Sequence, residues 1–363
     1  MSYLRVLVVA FCGEDTVKYL CIVALLLGSS ISSFAADNIF QIKRVADGVY
    51  AAIATRTFRI NCNAVIVLMD NGVLVVDAES TPSAAREIIA GIKQLTDKPV
   101  QYVVITHFHG DHFQGTEAYV QTWPSVQIIS SEATRDGIAT MGASRLEREI
   151  LELPARIDKL KTDLQQAKDP QTKDQIKTSL SQAQAYYIEV KNLHVVLPTL
   201  LVDHKMIFQG KTRTVEILRP GRAHTEGDLF VYVPDAKVIA TGDALHSGAP
   251  TLTDASPFDW IRTLDAVEKL DFQTVIGGHG DVIQGKGTFD LWKQYLAELM
   301  EDAVKANSQG ETLDEARKTL APPLIAKYGS KFGDMPWPFS ETVDSNINRA
   351  FRIVSGPARI DAK

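Results

Sequence analysis

Apolar and polar residues alternate across positions 40–55, and the alternation turns over at Asp47-Gly48, the pattern of two half-buried strands joined by a tight turn. The next stretch reads the same way. Residues 62–68 and 73–76 are apolar runs of strand length on either side of Asp70-Asn-Gly72, and an Asn-Gly pair supplies the positive φ angles that a two-residue hairpin needs. From Pro82 to Leu95 the apolar spacing changes to every third or fourth position, which predicts a helix. A strand over 101–105 follows, and the polar cluster behind it opens the next helix. Strands and helices alternate again from 213 to 278, with a helix predicted over 257–270. Alternation of this kind belongs to a layered α/β domain.

Residues 144–192 interrupt the plan. Leu146, Ile150, Leu153, Ile157, Leu160 and Leu164 recur at alternating spacings of four and three, a single coiled-coil seam that Pro154 is expected to kink. Asp169-Pro170 reads as the cap and first turn of a second helix, whose seam is Ile176, Leu180, Ala183, Tyr187 and Val190. Two antiparallel helices with solvated outer faces follow, expected to be a structural or dimer-forming element rather than a mobile lid. Farther on, 286–306 and 312–328 are helical in spacing, with Pro322-Pro323 as a break. The aromatic stretch Met335-Pro-Trp-Pro-Phe339 is expected to pack back on the body.

Composition narrows the partners. A net charge of −6 over 363 residues gives no basic footprint, so nucleic acid is not an expected partner and a small-molecule substrate is. At the N-terminus, Lys18 precedes the apolar run 19–27 and small residues ending at Ala35, the form of an export signal. Residues 1–36 are therefore assigned to a signal-peptide region, and the mature chain, beginning near Ala36 or Asp37, is expected to be periplasmic or secreted. The run falls short of the roughly 20 apolar residues a membrane span needs, so no stable anchor is expected. Nothing in an export signal calls for the acidic Gly13-Glu-Asp15 before it, which makes Val17 a candidate initiator. Cys12 and Cys21 lie in this region, leaving Cys62 as a buried apolar filler without an internal disulfide partner.

The chemistry concentrates in Ile105-Thr-His-Phe-His-Gly-Asp-His112, which sets three histidines and an aspartate at the mouth of one predicted strand. Imidazole with carboxylate is a donor set suited to zinc and similar borderline cations. The pattern His-x-His-x-Asp-His resembles the signature of the metallo-β-lactamase superfamily. Further motifs stand in that family's order: Val73-Leu-Val-Val-Asp77 upstream, then Gly221-Arg-Ala-His-Thr-Glu-Gly-Asp228, Ala240-Thr-Gly-Asp-Ala-Leu245 and Ile276-Gly-Gly-His-Gly280.

The resemblance implies an αββα sandwich with the metal site at one edge. It implies that His107, His109 and His224 hold one metal, that Asp111, His112 and His279 hold a second, and that Asp243 bridges the two. Two zinc ions are the expected cofactors, with iron or manganese as alternatives. The implied activity is a metal-dependent hydrolase in which an activated water opens an ester, thioester, lactone or lactam carbonyl, with Asp111 as the candidate for proton transfer. Serine or cysteine commonly fills the fourth motif of true β-lactamases, whereas Asp243 resembles glyoxalase II enzymes and lactonases. The flavin-linked diiron branch usually replaces the second histidine of the cluster with glutamate, and His109 argues against it. A mononuclear-iron sulfur dioxygenase and a β-lactamase proper are the alternatives, while a non-catalytic binding module would call for a missing ligand, and none is missing. His246 is a candidate substrate contact. Asp228 is a candidate for hydrogen bonding to a ligand histidine, and Asp77 for positioning the cluster without binding metal. His194 and His204 are expected on the surface. The catalytic domain is thus drawn over 37–310 with the hairpin 144–192 inserted, followed by a C-terminal helical extension over 311–363. Exchanging the hairpin for a short loop is expected to leave metal binding intact.

Overall fold

In the computed structural model, which describes residues 39–55, 61–332 and 338–356, two sheets form from strands that lie side by side in sequence order. The first comprises β1 (Phe40–Ala46), β2 (Val49–Ala54), β3 (Ala64–Leu68), β4 (Val73–Val76), β5 (Val100–Val104), β6 (Gln127–Ser130) and β7 (Leu200–Leu201). Its first four strands pair antiparallel and the rest parallel. The second comprises β8 (Lys205–Gln209), β9 (Thr214–Leu218), β10 (Phe230–Val233), β11 (Val238–Gly242), β12 (Thr274–Gly277) and β13 (Ile283–Gln284). Here only β11 and β12 run parallel.

Period-two alternation sends each strand's side chains to two different layers. Val65, Val67, Leu74, Val76 and Val104 point inward, where they meet Ile217, Val231, Val233 and Ala240 of the second sheet. Ile66, Val73, Val75 and Val103 point outward to α1 (Pro82–Leu95) and α3 (Thr116–Thr122). Helix α1 buries Ala84, Ala85, Ile88, Ile89 and Ile92 on one face, and the Thr81 side chain caps it by accepting from the Ala84 N–H. Each large apolar side chain so buried contributes about 1.5–3 kcal/mol. On the far side, Phe230, Tyr232 and Ile239 pack against α7 (Pro257–Glu268), α8 (Gly287–Ser308), α9 (Leu313–Tyr328) and α10 (Phe339–Ser355). The layers are helix, sheet, sheet, helix, as expected. The remaining α-helices are α2 (Gly110–Phe113), α4 (Glu132–Gly137), α5 (Ala143–Gln166) and α6 (Pro170–Val190).

Several elements differ from their sequence reading. The hairpin between β3 and β4 forms, but neither Asn71 nor Gly72 has a positive φ. Leu68 pairs with Val73 and the Met69 N–H donates to the Gly72 carbonyl, so the turn spans four residues. A Cβ on Gly72 would stand 2.5 Å from the flexible Gln101 side chain, which would have to shift. The inserted helices pack as a pair, yet the buried tyrosine is Tyr186, at 4% exposed, with Tyr187 only partly covered. Pro154 lies on the exposed face of α5, inside one unbroken helix. Pro322-Pro323 likewise does not end α9. Both prolines and the residues whose carbonyls they leave free, Lys318 and Thr319, face solvent, where water replaces the lost bonds. Met335–Trp337 and the export-signal region lie outside the described residues, while Phe339 is buried against Tyr295. Among the described residues no helix is long and apolar enough to cross a membrane.

Candidate metal centre

Parallel pairing sets the C-terminal ends of β4 and β5 side by side, and those of β11 and β12 likewise. Asp77 follows β4, His107 follows β5, Asp243 follows β11 and His279 follows β12, so these side chains emerge at one edge of the sandwich. Short tethers draw the two sheets together there. The Asn63 N–H donates to the Gly278 carbonyl at 2.6 Å, and its side-chain amide donates to Gly277 and Gly280. The Leu229 N–H donates to the Thr106 carbonyl at 3.0 Å. Gly278 is obligatory, because a Cβ would meet the Asp243 Oδ1 at 2.2 Å. His109 precedes the single turn α2, which presents Asp111 and His112. His224 comes from the loop between β9 and β10.

Hydrogen bonds fix the orientation of four imidazoles, those of His107, His109, His112 and His224. Asp77 accepts from the Thr106 N–H at 2.8 Å, the Thr106 hydroxyl at 2.9 Å and His112 Nδ1–H at 2.8 Å. Since that hydroxyl donates to Asp77, its oxygen accepts from His107 Nδ1–H at 3.1 Å. His224 Nδ1–H donates to the Thr251 carbonyl at 3.0 Å, and His109 Nε2–H donates to Asp254 at 2.8 Å. The lone pairs of His224 Nε2 and His109 Nδ1 then face each other at 2.9 Å, an arrangement that calls for a shared proton or a cation. His107 Nε2, His112 Nε2 and Asp243 Oδ1 are buried without a hydrogen-bond partner. Donor atoms of His107, His109, His224 and Asp243 lie within 4.8 Å of one another, as do those of Asp111, His112 and His279. Bare nitrogens and carboxylates converging in a buried pocket fit a cation of the zinc type.

Electrostatics agree with that fit. Burial, then the neighbouring imidazole of His112, pushes His107 well below the usual histidine range, and burial with His109 lowers His224 to about 4. Both are neutral, as ligands must be. Burial works against charge on His279, yet the Asp243 and Asp111 carboxylates hold its pKa up at about 10. Asp111 is held at about 2 against burial by His112 and His279. These imidazolium protons occupy the place that a cation would take among the carboxylates.

A loop beyond Asp243 supports the cluster, and no sequence motif marked it. Thr251 and Asp254 orient His224 and His109 as described. Asn346 of α10 holds the same loop, its side-chain oxygen accepting from the Leu252 N–H at 3.0 Å and its amide donating to the Pro250 carbonyl at 2.8 Å. Asp254 also accepts two bonds from Arg145 of the inserted hairpin, each 2.8 Å long. Through Arg145 the hairpin contacts the loop that supports the site. Tyr186 hydrogen-bonds Gln114, three positions after Asp111, at 3.3 Å, and Glu189 accepts from Ser83 at the start of α1.

Other candidates fall in varied places. Asp228 caps its own turn by accepting from the Thr225 N–H, and burial pushes its carboxyl up to about 7. His246 is buried; its Nδ1 accepts from the Gly248 N–H and its ring meets Trp292 edge-on at 4.9 Å. Burial lowers its pKa to about 3. His194 and His204 are exposed. Cys62 is fully buried, and burial raises its thiol well above the ordinary value. A cavity of about 280 Å³ opens beside His109, lined by Phe108, Gln114, Arg145, Leu146 and Glu149.

The profile described as the metallo-beta-lactamase superfamily matches residues 58–279. The chain is 23% identical over 282 residues to a linear primary-alkylsulfatase of a Pseudomonas species, covering 71% of this chain and 49% of that protein. It is 32% identical over 99 residues to an uncharacterized protein of Bacillus subtilis, covering 27% of this chain and 40% of that one. The chain thus spans about half or less of the length of these curated relatives. Among solved structures it superposes on a metallo-beta-lactamase from Pontibacter korlensis with a TM-score of 0.50 at 18% identity, covering 71% of this chain and 99% of that one. That likeness shows the fold.

Proposed function

The chain belongs to the metallo-beta-lactamase superfamily, and from that premise we propose that it is a two-metal hydrolase that opens the carbonyl of a small ester, thioester, lactone or lactam. One observation carries the proposal. The Asp243 carboxylate stands between the two ligand groups, with Oδ2 3.9 Å from His107 Nε2, 3.7 Å from His224 Nε2 and 3.4 Å from His279 Nε2, and Oδ1 3.4 Å from His112 Nε2. On this reading His107, His109 and His224 would hold one cation, Asp111, His112 and His279 would hold another, and Asp243 would be shared between the two groups. Zinc is the cation these nitrogen and oxygen donors suit best.

When bound, such cations bring the pKa of a water toward neutrality and polarise the bond to be cut. The chain's part is to keep the imidazole lone pairs aimed inward and to manage protons. Asp111, with a side chain 19% exposed beside His279, would take up a proton at its carboxylate and pass it to the leaving atom. The cavity beside His109, near the lower end of the roughly 300–1,000 Å³ range of small-molecule pockets, admits a compact substrate. A carboxylate between the cations lowers their net charge, which favours esters and thioesters over dedicated lactam hydrolysis. The alkylsulfatase relative supports a second reading, a sulfate ester in place of the carbonyl. We also propose that residues 1–36 direct export.

The test is a substrate panel of ester, thioester, lactone, β-lactam, sulfate ester and persulfide, run on protein of known metal content. Turnover of carbonyl substrates, abolished by a chelator and restored by zinc, is expected. Turnover of sulfate esters alone would select the second reading. Persulfide oxidation by an iron-loaded chain would overturn both.

A further inference from the structure

Arg145 ties the inserted hairpin to the group that orients His109. Arg145 lies in the first turn of α5, and its Nη1 and Nη2 donate in parallel to Asp254 Oδ2 and Oδ1 at 2.8 Å each, while Oδ2 also accepts His109 Nε2–H at 2.8 Å. Asp254 has a side chain only 16% exposed, and the arginine fork occupies both of its oxygens. The Arg145 guanidinium also sits 5.4 Å from the centroid of the Phe108 ring, whose neighbours in the chain are His107 and His109. We propose that Arg145 is a positioning residue: by clamping Asp254 it sets the tautomer and tilt of His109, so the hairpin governs the geometry of the ligand group formed by His107, His109 and His224. This inference rests on the metal-centre reading and is independent of the substrate.

The physical argument is one of orientation. A carboxylate held by a single imidazole can swing about its Cβ–Cγ bond, whereas a bidentate guanidinium fixes its plane. The imidazole bonded to that carboxylate then keeps Nδ1 directed at His224 Nε2, 2.9 Å away. Losing such support typically weakens metal binding 10–100-fold. Lysine cannot reproduce the fork, because its ammonium is a point charge.

The test is a double-mutant cycle on metal affinity, measured by competition with a chromophoric zinc chelator, with melting temperature recorded on the metal-free protein. Asp254→Ala is expected to weaken zinc binding about 10–100-fold, and Arg145→Ala by roughly tenfold. The double variant is expected to lose no more than Asp254→Ala alone, since Arg145 acts through Asp254. Arg145→Lys should fall between parent and Arg145→Ala, and it stands in if the alanine variant does not fold. Lys159→Ala, which removes an exposed ion pair elsewhere on α5, should leave affinity unchanged. Zinc affinity within twofold of the parent in Arg145→Ala and Arg145→Lys, with only the melting temperature lowered, would overturn the inference. So would additive losses in the double variant. A parent that binds no zinc would instead refute the metal-centre reading.

Discussion

Asp77 adopts φ 65°, a left-handed backbone conformation that costs a non-glycine residue about 1–3 kcal/mol. Its three hydrogen bonds to Thr106 and His112 hold it there, and through them it sets the lone pair of His112 directly and that of His107 through the Thr106 hydroxyl. Asp77→Asn would turn one acceptor oxygen into a donor facing another donor. A 10–100-fold loss of metal affinity is expected, read by chelator competition, with the fold retained by circular dichroism. A second prediction follows from the charges. His224 titrates near 4 in the folded chain against 6.5 ordinarily, so below about pH 6.5 the unfolded chain binds a proton the folded one does not, and stability falls as pH drops toward 4. His279 titrates near 10, so its stabilisation is complete below about pH 6.5 and is lost as pH rises through 10. The metal-free protein should melt highest near pH 6.5, and metal should remove the alkaline arm by replacing the His279 proton. Melting curves from pH 4 to 10, with and without zinc, check this. At this scale the His107 to His112 cluster was legible because three histidines and an aspartate stand within six residues, whereas His224, Asp243 and His279 came only from the resemblance of their motifs. Asp254 and Arg145 were not legible, since they are 109 positions apart and neither lies in a motif.

At the scale of elements, alternation located the strands well because each has one face toward the other sheet and one toward helices. Turn chemistry was less legible. Asn71-Gly72 has the composition of a positive-φ turn, but the Asp70 carboxylate is engaged by Lys211 and Thr212 of the facing β8–β9 turn, and a longer turn forms. Phase also slipped in α6. The buried stripe of α6 runs through Ala183, Tyr186 and Val190, at spacings of three and then four, and Tyr187 lies on its flank, partly covered. Tyr186→Ala should therefore cost about 3–5 kcal/mol, while Leu151→Ala, 74% exposed on α5, should stay within roughly 0.5 kcal/mol. Urea denaturation of both variants distinguishes the faces.

For the whole molecule, the layered architecture followed from strand and helix order, and the resemblance of the motifs supplied its topology. How the added segments serve the site did not follow. The inserted hairpin and the C-terminal helix α10 reach one loop, through Arg145 on Asp254 and Asn346 on Leu252 and Pro250. Contacts between segments so distant in sequence leave no periodic trace. The central claim, that this edge of the sandwich is a two-metal hydrolytic centre organised around Asp243, is tested most directly by metal content per chain in the parent and in Asp243→Ala, measured with hydrolysis rates on the same samples. Two zinc ions per parent chain are expected, with one or fewer and at least a tenfold lower rate in the variant. Equal metal content and equal rates in the two proteins would contradict the account.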